Sequence, residues 1–392
     1  MTIDGTIGKR IVREIDELRE RSLFRALDHP AGINLLSNDY LGLASDPRLK
    51  QKISESVLRG SLNGSTGSRL LSGNAREWEE VESEFASFAG TEAALYFGSG
   101  YAANVGLLGA IPKPGDVVFS DTLNHASLID GIRLSGATKV IYPHGDLAFL
   151  EAALSRHASD NGGRVIVTET MFGMEGDVAP LEALVRFGRK YGAELIVDEA
   201  HATGVTGPEG RGIAAALGIE REMLAVVHTC GKALASAGAF VCGGSTLRDY
   251  LINRARTFVF STAMPPYFAG QIRAALELAR AAEAERKHLR EIADTLREGL
   301  AAAGLDCGKS VTQIVPVILG SEETALFVAR ELQKSGFAVK AIRPPTVPEG
   351  TSRIRLSLTS RVSRDEIHRL VAALDAAIKS LPRLAPAGAM QA

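Results

Sequence analysis

Between about residues 90 and 245 of this 392-residue chain, short apolar runs alternate with stretches of helical periodicity. The runs Ala94–Phe97, Val117–Ser120, Lys139–Tyr142, Arg164–Thr168, Glu194–Val197, Ala225–His228 and Ala239–Gly243 have strand length. A run that is apolar at successive positions is buried on both faces, and a helix between two such runs lets them lie parallel. The pattern predicts an α/β fold built of βαβ units, with a mostly parallel seven-stranded sheet and helices on both faces. Ahead of it, Arg10–Leu27 carries Ile11, Ile15, Leu18 and Leu23 near helical spacing and predicts an amphipathic helix. Behind it, Pro265-Pro266 ends an extended segment, and Gln271–Ala303, rich in Ala, Glu, Arg and Leu, predicts one long helix between two domains. Strands near Ile314–Ile318 and Arg353–Ser357, with helices near Glu323–Ser335 and Arg364–Ser380, make a small α+β unit. The expected division is 1–45 (N-terminal helix and segment), 46–285 (large domain), 286–382 (small domain) and a frayed tail, Arg383–Ala392.

Composition narrows the class. Hydrophobic residues are 45% and charged residues 23% of the chain, as in an ordinary globular protein, which excludes disordered and fibrous classes. Forty-four Lys and Arg against 46 Asp and Glu leave a formal charge of −2, with no excess to hold a nucleic-acid backbone. Three cysteines without paired spacing argue against a disulfide framework or a zinc site. Ala93–Pro112 has no charge over twenty residues, but four glycines, Ser99 and Asn104 fit a strand, turn and core helix better than a membrane span. With no apolar leader in the first ten residues, the expectation is a cytoplasmic protein.

Two places carry candidate chemistry. Gly98-Ser99-Gly100-Tyr101-Ala102-Ala103 follows a predicted strand and opens a helix, with Asp121 about twenty residues on. That is a dinucleotide fingerprint, and hence an NAD-dependent dehydrogenase reading, but the same turn presents backbone N–H groups to any phosphate. The second place is Asp198-Glu199-Ala200-His201 at the end of the Leu195–Val197 strand, with Thr229-Cys230-Gly231-Lys232 ending another strand some thirty residues later. Carboxylate and lysine there make either a buried ion pair or a pyridine-cofactor site, with lysine on the aldehyde and aspartate holding the ring nitrogen protonated. His144, His157 and His228 are read as surface or structural, and Cys230 as packing.

The chain resembles the α-oxoamine synthases, pyridoxal-phosphate enzymes of the aspartate-aminotransferase fold. The resemblance runs through Ser37-Asn38-Asp39-Tyr40-Leu41-Gly42-Leu43, Gly67-Ser68-Arg69, Ser99-Gly100-Tyr101 with Ala103-Asn104, and His125 to Gly131. It continues through Met174-Glu175-Gly176-Asp177, Asp198 to His201, Thr229 with Gly231-Lys232-Ala233, and Ser261-Thr262. It implies pyridoxal 5'-phosphate on Lys232 as a Schiff base, Asp198 on the ring nitrogen, His201 on the ring 3-oxygen and His125 stacked on the ring. Gly100, Tyr101 and Thr229 are implied for the phosphate, with Ser261 and Thr262 reaching over from the partner of a homodimer. Asn38, Glu169 and Arg355 fall on substrate-side positions, Arg355 matching the amino-acid carboxylate clamp, and Arg25 and Thr346 match acyl-substrate positions. Ala341 to Thr351, with its Arg343-Pro344-Pro345, is similar to the member that condenses L-alanine with a pimeloyl thioester, on CoA or on acyl carrier protein, in biotin synthesis. Relatives that use glycine usually differ there and are the alternative within the family. Three departures stand out: Gly173 where a serine is common, Arg361 where a histidine is common, and a shortened stretch between Arg25 and Asn34 that trims a hairpin.

Overall fold

The computed structural model describes residues 5–29, 31–60 and 62–381, so the expected Arg383–Ala392 tail lies outside the described residues. Seven strands form the large sheet: β1 Ala93–Phe97, β2 Val117–Asp121, β3 Thr138–Tyr142, β4 Arg164–Glu169, β5 Ala193–Asp198, β6 Ala225–Thr229 and β7 Ala239–Gly243. Their order is β1-β7-β6-β5-β4-β2-β3, and only β7 runs antiparallel to its neighbours. The strands follow the sequence runs closely because alternate side chains enter two separate cores. Leu95, Val118, Val165, Val167, Ile196 and Val227 join one, under the helices Gly100–Ala110 and Ala126–Ser135. Tyr96, Phe119, Ile166, Leu195, Val197 and Phe240 join the other, which also holds Trp78 and Phe85.

The small domain has a three-stranded antiparallel sheet, Ala341–Ile342, Ser352–Ser357 and Ile314–Gly320 in that order, backed by the helices Glu322–Lys334 and Arg364–Lys379. Ile33–Asn34 pairs in parallel with Phe337–Ala338, which fastens the N-terminal segment to this domain. Among the described residues no hairpin precedes Asn34, in keeping with the shortened stretch. No helix of the described residues is long and apolar enough to cross a membrane, and Ala93–Pro112 is β1 followed by a buried helix.

Two predicted helices need correction. The N-terminal helix spans Thr6–Glu20 rather than Arg10–Leu27. Ser22 takes a left-handed conformation (φ 54°), and the N–H groups of Leu23 and Phe24 return to the Leu18 carbonyl, which closes the helix about two turns early. The long linking helix is two, Tyr267–Arg280 and Glu283–Ala302. Composition hides the break, because its cause is a tertiary contact. Buried Arg286 donates to the carbonyls of Ala279 (2.6 Å) and Arg280 (3.2 Å), capping the first helix, and to Gly204 O (3.4 Å) across the domain.

Candidate active site

Parallel strands end on the same side, so β4, β5 and β6 bring Glu169, Asp198 and Thr229, each the last residue of its strand, to one carboxyl edge. Glu169 and Asp198 are register partners. Lys232 follows β6 in the next turn, and its Nζ lies 2.8 Å from His201 Nε2. Burial lowers the Lys232 pKa against the pull of Asp198 and Glu169, which favours the neutral, nucleophilic amine. Burial also holds Glu169 well above the ordinary carboxyl range, reinforced by the adjacent Asp198. His201 is driven well below the usual histidine range, first by burial and then by Lys232, Arg355 and His125, so its imidazole is neutral.

A polar relay crosses the site. Asn104 Nδ2 donates to Asp198 Oδ2 at 2.7 Å and to Ser127 Oγ at 2.9 Å, while Asp198 Oδ1 accepts the Ala200 N–H. Ser127 Oγ lies 2.8 Å from His125 Nδ1, which also accepts the Ser127 N–H at the start of the helix Ala126–Ser135. With both donors aimed at Nδ1 and burial lowering its pKa, His125 is neutral and carries its proton on Nε2. Asn104 and Ser127 appear in the sequence motifs without an assigned role. The available clue is Asn104 itself, a lone amide in an otherwise apolar helix, one turn after Gly100.

That helix begins at Gly100 behind the N-cap Ser99, so the N–H groups of Gly100 and Tyr101 have no partner within it. A Cβ on Gly100 would stand 2.7 Å from the Thr229 hydroxyl, so glycine leaves the space between helix end and hydroxyl open. Tyr101 is half exposed and its hydroxyl bonds Asp130. Asp121, the acid a dinucleotide ribose would need, is buried and occupied by His144 (3.0 Å) and the Leu123 N–H. Of the surface and structural readings left open for His144, the structural one holds. Its Nε2 meets Asp177 at 2.8 Å, and the two aspartates raise its pKa to about 10 despite the opposing effect of burial.

The small domain and N-terminal segment roof the cleft. Arg355 donates from Nη2 to Asn38 Oδ1 at 3.0 Å and from Nε to the Gly173 carbonyl. A side chain on Gly173 would collide with the His201 imidazole, so the ring fills the space a serine would need. Arg353 pairs with Glu175 at 3.1 Å, and Gln313 donates to the His201 carbonyl at 3.0 Å. Arg361 donates to Gly42 O at 3.0 Å, holding the N-terminal segment in place. Arg25 Nη2 meets Thr346 Oγ1 at 3.1 Å. Ser261 and Thr262 are exposed and have no hydrogen bond to these groups.

A model of the family described as aminotransferase class I and II matches residues 30–374, and the chain belongs to that family. More narrowly, an 8-amino-7-oxononanoate synthase of Geobacter sulfurreducens is 45% identical over 381 residues, covering 93% of this chain and 97% of the relative. One of Burkholderia mallei is 46% identical, covering 89% of each chain. Among solved structures, a serine palmitoyltransferase variant from S. paucimobilis with a bound PLP–myriocin aldimine superposes with a TM-score of 0.88. It is 28% identical, covering 96% of this chain and 98% of its own. The 8-amino-7-oxononanoate synthase of Francisella tularensis gives 0.77 at 29% identity, covering 89% and 98%.

The cofactor is pyridoxal 5'-phosphate, and the residues fit it. A buried lysine shifted toward its neutral form suits the aldehyde, and a buried carboxylate suits the ring nitrogen. The open helix N-terminus beside Thr229 suits a phosphate. Asn104 Oδ1, buried without a partner, leaves an acceptor beside the same carboxylate.

Proposed function

We infer that the protein condenses L-alanine with a pimeloyl thioester, releasing CO2 and the thiol carrier and giving 8-amino-7-oxononanoate for biotin synthesis. The cofactor chemistry rests on the placement of Lys232, Asp198 and His201 beside the Arg355–Asn38 pair, and the choice of substrates on the 45–46% identity to 8-amino-7-oxononanoate synthases. When bound, the cofactor supplies an electron sink for the carbon that bears the substrate amino group.

The chain's own residues supply the rest. Lys232 would hold the cofactor through its amine, and the same amine, its pKa lowered by burial, is suited to take the α-proton of L-alanine. Asp198 keeps the ring nitrogen protonated, because a fixed negative charge favours the cation. His201 would donate to the ring oxygen from Nε2, and the Gly100 and Tyr101 N–H groups with the Thr229 hydroxyl would hold the phosphate. His125 would stack on the ring and could offer Nε2–H to the thioester carbonyl, where negative charge develops as the new bond forms. Arg355 and Asn38 bind the L-alanine carboxylate, with Glu169 as a further substrate contact. Arg25 and Thr346, joined at the cleft roof, face the acyl chain.

The working unit is a homodimer. Leu71 and Phe260 are 82% and 72% exposed, and Phe260 adjoins Ser261 and Thr262, which in a dimer would reach the phosphate of the second copy. The substrates are small and soluble, and the cytoplasm is the compartment for this chemistry. The purified protein should show a visible absorbance band with pyridoxal phosphate that L-alanine perturbs far more readily than glycine. It should also form 8-amino-7-oxononanoate from pimeloyl-CoA. A glycine preference would overturn the amino-acid assignment, and the absence of any band would overturn the cofactor site.

A further inference from the structure

Behind His201 the structure holds a side chain to which neither the motifs nor the comparisons assign a task. Tyr40 is fully buried; its hydroxyl lies 2.6 Å from His201 Nδ1 and 3.1 Å from Asn38 Oδ1. That amide oxygen also receives Arg355 Nη2 at 3.0 Å and Ser357 Oγ at 3.2 Å. Three donors converge on an oxygen with two lone pairs, so one is surplus. For Tyr40 the His201 Nδ1 at 2.6 Å is the nearer of its two possible acceptors.

We propose that the Tyr40 hydroxyl is a positioning group that sets which ring nitrogen of His201 carries the proton, and thereby links the Arg355–Asn38 clamp to the cofactor's ring oxygen. Two arrangements hold the same two protons, one on Tyr40 and one on neutral His201. In the first, Tyr40 donates to Asn38 and accepts from His201 Nδ1–H, which leaves the Nε2 lone pair to face the Lys232 amine. In the second, Tyr40 donates to Nδ1, His201 carries its proton on Nε2, and Asn38 Oδ1 keeps only Arg355 and Ser357. Only the second can donate to an oxygen anion in the cleft. Burial keeps the Tyr40 proton on the phenol, so the hydroxyl always has one to give. The charged and titratable groups around the histidine are Lys232, Arg355 and His125. None of these is within hydrogen-bond distance of Nδ1, whose partner is Tyr40.

This rests on the cofactor placement given under Proposed function, and Y40F tests it with the side-chain volume nearly unchanged. A donor to the ring oxygen withdraws the negative charge that stabilises the neighbouring protonated nitrogen on Lys232. Weakening that donor should raise the pH midpoint of the visible band by about one unit, the scale of one hydrogen bond to a charged group. The L-alanine dissociation constant should change by less than about threefold, since Arg355 and Asn38 remain. Nitrogen-15 spectra of histidine-labelled wild-type holoenzyme, which need no variant, should show His201 protonated on Nε2 with Nδ1 accepting. A normal band with an unmoved midpoint in Y40F, or a proton on Nδ1 in the holoenzyme, overturns the proposal alone. Absence of a band in the wild type overturns the cofactor placement and the proposal with it.

Discussion

The floor and the roof of the cleft are built differently. The floor residues Asp198 and Thr229 close adjacent strands of one continuous sheet, and Lys232 and His125 follow strand ends within a few residues. The roof depends on pairs distant in sequence. Arg353–Glu175 spans 178 residues, Arg355–Asn38 spans 317 and Arg25–Thr346 spans 321. On the proposed assignments, strand ends and the turns that follow them supply most of the cofactor contacts, whereas the amino-acid and acyl contacts would form only once the small domain and the N-terminal segment have docked. Cofactor binding and substrate affinity should therefore be separable by mutation.

The largest effect is expected at the floor. K232A should lower turnover more than about a thousandfold, and reduction with borohydride should no longer fix the cofactor to the chain, as mass spectrometry would reveal. A variant that still fixed it would show that another lysine does the work. Next, R355A should lower kcat/KM for L-alanine about a hundredfold, the scale of losing a charge-assisted carboxylate contact. Its visible band should stay intact and KM for the thioester should hold within about twofold. A bleached band would show that roof and floor are not separable.

S127A is a milder break of the floor. It removes the hydroxyl donor to His125 Nδ1 and should lower kcat about tenfold, with the thermal midpoint nearly retained. The smallest effect on activity is expected from H144F, which removes a brace outside the cleft. His144 has a folded pKa of about 10 against an ordinary 6.5, so its contribution to stability is full below pH 6.5 and fades as pH rises toward 10. The wild-type thermal midpoint should fall across that window. H144F should flatten the fall and cost about 2 kcal/mol near neutrality, because Asp121 and Asp177 lose their cation.

The same contrast explains what was legible in the sequence. The seven strands and the Asp198–Lys232 pair were readable because each is a local pattern: an apolar run, then a polar residue where the run stops. The dinucleotide alternative also followed from local pattern, and it needed the structure to show Asp121 bound to His144. Arg286 and Tyr40 were not readable as to role, since their partners are set by tertiary docking rather than by spacing. The early end of the first helix turned on one left-handed serine, and hydrophobic periodicity carries no information about such a residue.

The elbow between Arg280 and Glu283 has a mechanical consequence. A hinge needs bonds that can be exchanged cheaply, and here a buried guanidinium is pinned to three carbonyls from two parts of the chain. Opening the joint would break these charge-assisted bonds, each worth about 1.5–3 kcal/mol, and leave the carbonyls buried without a donor, so the joint behaves as a weld. The opposite wall is tied as firmly: the segment bearing Asn38 and Tyr40 meets the small domain through the Ile33–Asn34 pairing, the Leu35, Tyr40 and Gly42 carbonyls and the Arg355–Asn38 bond. A crosslink across the elbow, which is already immobile, should therefore leave turnover unchanged.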